Sequence, residues 1–193
     1  MSTPSALIVY GSRYGQTAKV AGYMRDLLAT SGFAATVASI DDMPQHIAPA
    51  AFDVIVVGSP IYFSRHLPAV RRFVLTYRDA LNAARSAFFS VSGSAGSRSE
   101  ADRAEAHRCL AQFLEQTGWH PALSETFGGS MAYTRYNPVV RWVIKRISKR
   151  RGGPVDTSRD HEVTDWAQVR RFVDAVSSLV DRSAAVDSCD ANT

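Results

Sequence analysis

The feature that most constrains this chain is a rhythm. Short runs of β-branched and apolar residues recur along it, and segments with helical spacing separate most of them. The clearest run is Asp53-Val54-Ile55-Val56-Val57-Gly58. Others lie at residues 6–10, 33–39, 87–91 and 123–127. The run at residues 6–10, ended by Gly11, has no polar alternation and fits a strand covered on both faces. Val20, Ala21, Met24, Leu27 and Leu28 space a helix over residues 17–30, and Ser31-Gly32 stops it. Pro68 suits the first turn of a second helix that runs to about residue 82. Further helices are expected over residues 100–117, 138–150 and 164–182. Strand and helix in alternation imply right-handed crossovers and an α/β fold, a doubly wound five-stranded parallel sheet. The helix at residues 138–150 breaks the alternation, so residues 131–163 are expected to form an insert after strand five. Residues 1–182 then make one domain, and the small, polar residues 183–193 are expected to fray.

Composition narrows the class. A chain of 193 residues, 46% apolar and 21% charged, can build one core and excludes collagen, coiled coil and wholesale disorder. No apolar run approaches the ~20 residues of a membrane span. Met1 to Ala6 carry no basic residue, so no secretory signal is expected. Two cysteines, Cys109 and Cys189, make neither a disulfide framework nor a metal cluster and suit a cytoplasmic protein. The net charge of +4 is unevenly placed. Between Thr126 and Val155 stand seven basic residues and no acidic one, which leaves the rest of the chain at −3.

Ligands of a parallel α/β sheet sit beyond the carboxyl ends of its strands. The loop there after strand one is Ser12-Arg13-Tyr14-Gly15-Gln16-Thr17. Its hydroxyls, its glycine and the N–H groups of a helix start suit a phosphate. The alternative is that Ser12 and Thr17 only cap the helix. Neither a Gly-x-Gly-x-x-Gly run nor a Walker A pattern is present, which favours a mononucleotide over a dinucleotide or a triphosphate. Two more loops share that edge. One contains Pro60-Ile61-Tyr62-Phe63, and the other contains Ser92-Gly93-Ser94-Ala95. They offer an aromatic wall and close backbone approach for a flat ring. The alternative is a core Phe63 and a plain connector.

Strand, Ser-x-x-Gly-x-Thr, helix in a βα series resembles the flavodoxin fold and its FMN site. Tyr133-Thr134-Arg135-Tyr136, the basic helix, Gly152-Gly153-x-x-Asp156-Thr157 and Thr164-Asp165-Trp166 narrow the likeness. Together they resemble the menaquinone-dependent protoporphyrinogen IX dehydrogenases, over about residues 6–179. The resemblance implies FMN held by Ser12 to Thr17, Pro60 to Phe63 and Ser92 to Ala95. It also implies oxidation of protoporphyrinogen IX in haem biosynthesis, with menaquinone as acceptor. No side-chain nucleophile is implied, since the flavin carries the chemistry. The chain departs from the family after strand three, where Ile61-Tyr62-Phe63-Ser64 replaces an Ile-Arg-Tyr-Gly-like run. An electron carrier and an NAD(P)H-fed quinone reductase are the alternatives. A sequence pI near 9.3 counts against an acidic carrier.

In the basic helix, Val139, Val140, Val143, Ile144 and Ile147 gather on one side, with Arg141, Lys145 and Lys149 opposite and Trp142 at the boundary. Such a helix suits a membrane surface, and it equally suits a helix packed on the domain by its apolar face. Arg135, Tyr136, Arg141, Trp142 and Lys145 are the candidates for substrate or membrane contact. Nucleic acid is disfavoured, because few aromatics interleave with the charge. His66, His107, Cys109, Trp119 and Trp166 are expected to be structural, and Thr164-Asp165 to start a helix. His46, His120 and His161 lack metal-ligand spacing.

Overall fold

The structure is a computed structural model that describes residues 3–43, 48–131, 134, 137–150 and 156–190. The main sheet is built from β1 (Ser5–Tyr10), β2 (Ala34–Ser39), β3 (Val54–Tyr62), β5 (Ser86–Ser92) and β6 (Leu123–Gly128). A two-residue strand, β4 (Arg65–His66), folds back antiparallel on the end of β3. The five main strands are parallel and lie in the order β2-β1-β3-β5-β6. The chain therefore winds outward to β2, then returns past β1 to β3, so the switch point lies between β1 and β3.

Alternate residues of β1, β3 and β5 feed two cores. Ala6, Ile8, Val56, Phe89 and Phe127 face α1 (Gln16–Thr30) and α6 (Trp166–Asp190), which bury Val20, Met24, Leu28, Phe172 and Val176. Leu7, Val9, Ile55, Val57 and Phe88 face the other way. They meet α2 (Pro68–Thr76), α3 (Arg78–Ala83) and α4 (Glu100–Thr117), through Val70, Phe73, Leu81, Leu110 and Phe113. Trp119 is fully buried in this second core and its indole N–H donates to Ser86 Oγ at 3.0 Å. The doubly wound five-stranded sheet expected from the sequence is thus present.

Two details differ from expectation: the segment after Pro68 is two helices, broken at Tyr77, and the last helix continues past residue 182, to Asp190. Among the described residues, β2 and β3 are joined by a short 3-10 turn, Pro49–Ala51. The segment after β6 adds β7 (Ser130–Met131), α5 (Pro138–Arg150) and β8 (His161–Glu162). Since β7 and β8 pair with each other, the segment between them leaves the sheet edge and returns to it at one place.

Candidate functional site

The carboxyl ends of β1, β3 and β5 bring the three predicted loops to one edge. The Gly11 N–H donates to Gly58 O at 3.0 Å, which ties the first loop to β3 at the switch point. Ser12 Oγ accepts from the Gly15 N–H at 3.1 Å. Gly15 has a φ of 96°, a left-handed conformation that glycine takes without the penalty of a Cβ. It is the N-cap of α1, and no side chain caps that end. The N–H groups of Gln16, Thr17 and Ala18 have no carbonyl partner inside the helix, because the first intrahelical bond runs from Lys19 N to Gly15 O. The positive end of the helix dipole is thus left with open donors, which is what a phosphate needs. The structure answers one alternative directly, since Ser12 bonds within the loop and caps no residue of α1. Thr17 is buried at the start of α1, Ser12 is half-buried, and Arg13 is exposed with its guanidinium 5.8 Å from the centre of the Tyr14 ring.

The Tyr14 ring meets Tyr62 edge-on at 5.5 Å, joining the first loop to the second. Pro60 is buried, Ile61 and Tyr62 are half-buried, and Phe63 is 72% exposed. Phe63 is therefore not a core residue. Phe63 and Ser64 are the two central residues of the β3–β4 hairpin, with φ of 48° and 59°. Positive φ at both places is the geometry usually given to Asn-Gly or Gly-Gly. A bulky aromatic held there at a cost, and turned to solvent, fits a surface waiting for a partner.

The third loop is not a plain connector. Ser92 Oγ accepts from the Ala95 N–H at 3.1 Å, and the Ser97 N–H donates to Ser94 O at 3.1 Å. Arg103 reaches back from α4 to the carbonyls of Ser97 and Arg98. Ser99 caps α4 by accepting from Asp102 N, and Ser97 Oγ donates to the Asp102 carboxylate at 2.8 Å. Gly93, Ser94 and Ala95 are half-buried. The three loops thus stand at the carboxyl ends of β1, β3 and β5, one with open backbone donors, one with exposed aromatic surface and one of small residues.

Sequence reasoning missed what locks this edge to the insert. Gln16 Nε2 donates to Thr164 Oγ1 at 2.8 Å and to the Glu162 carboxylate at 3.2 Å. Lys19 donates to the same carboxylate at 2.7 Å. Burial alone would raise the Glu162 pKa, but the bonds from Lys19 and Gln16 outweigh it and hold the carboxyl below its usual value. Thr164 Oγ1 in turn donates to Gly128 O at 2.7 Å. The Gln16 side chain thus belongs to the insert junction, and only its backbone N–H remains for a phosphate. Asp165 does start a helix, accepting from the N–H groups of Ala167 and Gln168. No local spacing signals the lock, because its partners stand about 145 residues apart.

The basic segment is only partly as expected. Arg135, Tyr136 and Tyr133 lie outside the described residues. On α5, Val139 and Trp142 are 71% and 62% exposed, and Lys145 and Arg146 are exposed. Arg141, expected on the solvated side, is half-buried, and its Nε has no access to solvent. Ser148 is buried. The face turned outward therefore mixes apolar and cationic groups, with the Arg146 guanidinium 5.7 Å from the Trp142 ring centre. Among the described residues, no helix is long and apolar enough to cross a membrane. Cys109 is buried, and burial, reinforced by Glu105, pushes its thiol pKa up and away from the nucleophilic thiolate.

Residues 7–158 match the family described as "Flavodoxin domain". The chain is 32% identical over 178 residues to protoporphyrinogen IX dehydrogenase (quinone) of Escherichia coli strain K12, covering 91% of this chain and 96% of that protein. It is 30% identical to the protein of the same name from Leishmania major, over 92% of this chain and 76% of that one. Among solved structures, oxidised flavodoxin 1 from Bacillus cereus superposes with a TM-score of 0.51 over 90% of this chain and 97% of that one. At 14% identity, that likeness speaks for the fold alone.

Proposed function

From the premise that this chain belongs to the protoporphyrinogen IX dehydrogenase (quinone) family of flavodoxin-domain oxidoreductases, we propose that it oxidises protoporphyrinogen IX in haem biosynthesis, through FMN and with menaquinone as electron acceptor. The observation that carries the FMN reading is the uncapped N-terminus of α1 behind the left-handed Gly15, set at the switch point of the sheet. The chemistry that FMN supplies when bound is the reversible uptake of an electron pair.

The chain's own residues bind and orient. The N–H groups of Gln16, Thr17 and Ala18, with the Ser12 hydroxyl, hold the phosphate. The Ser12 hydroxyl spends one lone pair on the Gly15 N–H and keeps its own hydrogen to donate. Pro60, Ile61, Tyr62 and Phe63 form one wall of the ring site. Ser92, Gly93, Ser94 and Ala95 form the other, where small side chains let backbone reach a ring edge. Tyr62, braced by Tyr14, fixes the spacing between the phosphate end and the ring end. No side chain acts as nucleophile.

Substrate and acceptor make different demands. The porphyrinogen carries propionates, which suit the cations Arg135, Arg141 and Lys145. Menaquinone is dissolved in lipid, so the site must approach a membrane surface from the cytoplasm. The exposed Val139 and Trp142, flanked by Lys145 and Arg146, suit that approach. Each cation near an anionic leaflet contributes about 1 kcal/mol.

Anaerobic stopped-flow mixing tests the reading. FMN-loaded protein is expected to lose its flavin absorbance rapidly on meeting protoporphyrinogen IX and slowly on meeting NAD(P)H. Fast bleaching by NAD(P)H alone would replace this reading with a pyridine-nucleotide-fed quinone reductase. For the membrane step, sedimentation with anionic liposomes is expected to capture the intact protein and not a variant with Lys145 and Arg146 reversed in charge. Equal, weak capture of both would end the docking idea.

A further inference from the structure

The hairpin tip that presents Phe63 has no turn residue to stabilise it. Both central positions, Phe63 and Ser64, sit at positive φ without being glycine or asparagine. A strained tip of this kind persists only when something outside it over-determines its shape. The structure supplies that restraint from α4. Ser64 Oγ donates to Glu105 Oε1 at 3.2 Å. The same oxygen stands 3.7 Å from the Cys109 sulfur, and the other carboxylate oxygen pairs with Arg108. Glu105 is thus held from both sides, by Arg108 at the surface and by the buried Cys109 beneath. It is a fixed post, and the tip is tied to it. The hairpin's other anchor is the ladder pairing of Ile61 with His66 and of Tyr62 with Arg65.

We propose that Glu105 is a positioning residue of the cofactor site: through the Ser64 hydroxyl it fixes the strained β3–β4 tip so that Phe63 is already in place to wall the flavin ring. This rests on the FMN reading above. The same helix, α4, anchors the opposite wall through Arg103, which binds the carbonyls of Ser97 and Arg98. Glu105 and Arg103 both stand on α4, so one helix contacts both loops. Glu105 touches neither cofactor nor substrate; it acts through Ser64. Preorganisation of this kind raises affinity by removing the ordering cost at binding.

The test compares E105A, S64A, the double variant, E105Q and R108A. Two quantities are read: hydrogen exchange of the amides of residues 62–66 in the cofactor-free protein, and the FMN dissociation constant with the midpoint potential of the bound flavin. E105A and S64A are each expected to speed exchange at the tip and weaken FMN about tenfold, or about 1.4 kcal/mol. The double variant is expected to be no worse than either single one, since both break one link. E105Q keeps a carbonyl oxygen for the Ser64 hydroxyl and is expected to stay near wild type. R108A releases one side of Glu105 and is expected to speed exchange at the tip and weaken FMN, by less than E105A does. Additive losses in the double variant, or a loss in E105Q equal to that in E105A, would overturn the proposal. If the wild-type protein itself binds no FMN, the cofactor reading falls. The exchange data then decide the tether alone, and unchanged exchange in E105A refutes it.

Discussion

Lowering the pH should destabilise this protein through His66, well above the range in which its carboxylates titrate. His66 stands on β4 with its ring 4.6 Å from Phe113 and 5.3 Å from Phe88, and its Nε2 is buried without a hydrogen-bond partner. Burial among these rings disfavours the imidazolium and lowers its pKa from 6.5 to about 4. The unfolded chain keeps the ordinary value. Above pH 6.5 both states hold a neutral ring and nothing is lost. As the pH falls below 6.5 the unfolded state gains a proton that the folded state refuses, so stability declines until about pH 4, where the folded ring also protonates. The full gap is worth about 3 kcal/mol at ~1.36 kcal/mol per pKa unit. Between about pH 7.5 and about pH 5 the loss is about 2 kcal/mol, which lowers Tm by roughly 4–8 °C in a chain of this size. The assay is thermal unfolding of wild type and H66F across that window. Asp53, Asp156 and Glu162 also have lowered pKa values, but they titrate lower and are present in both proteins, so the difference isolates His66. Parallel Tm curves for the two proteins would refute the burial of a neutral imidazole under the hairpin.

The same geometry fixes other outcomes. G15A forces an L-residue to a φ of 96° and should cost about 1–2 kcal/mol in unfolding experiments, while FMN titration should show affinity lowered about tenfold or more. In G128A a methyl would fall on the Val163 carbonyl, with Gly96 Cα 3.0 Å away, and backbone on both sides leaves little room to yield. Urea denaturation should show a loss of about 1–3 kcal/mol, and protease should cut the insert faster. T164V removes the donor to Gly128 O and the acceptor of Gln16, and should cost about 1–3 kcal/mol by the same assay. The exposed Lys19–Glu162 pair is a weaker contributor, so K19M should change stability by less than about 1 kcal/mol.

The parts legible in the sequence were those written in contiguous residues. The unbroken apolar runs at residues 6–10 and 54–57 specify central strands covered on both faces, and all five strands fall within a few residues of their expected places. Ser12 to Thr17 was legible as a strand-to-helix loop for the same reason, and it stands at the carboxyl end of β1 with Gly15 at a φ of 96°. The β3–β4 hairpin was not legible. Phe63-Ser64 has none of the residues that announce a two-residue turn, and its conformation is held from outside, by Glu105 on α4. The lock of Gln16 and Lys19 onto Glu162 and Thr164 joins the two ends of the chain, so no window along the sequence contains it. Thr164-Asp165 has the sequence of a helix start, and Asp165 caps α6 accordingly. Thr164 instead uses its hydroxyl to tie the insert's return to β6 and α1. On α5, helical periodicity separated Arg141 from the apolar stripe, but its Nε is buried and Trp142 is left outside. Periodicity assigns faces within a helix; it does not say how the helix is rolled against its neighbours.

As proposed, this flavodoxin-domain protein removes electrons from protoporphyrinogen IX through FMN and passes them to a quinone. The most direct test is the growth of porphyrin fluorescence under anaerobic conditions, with FMN-loaded protein, protoporphyrinogen IX and a menaquinone analogue. The account predicts turnover that requires both flavin and quinone and that falls in G15A in step with lost FMN. Flavin-loaded protein that yields no porphyrin in the presence of quinone would contradict it.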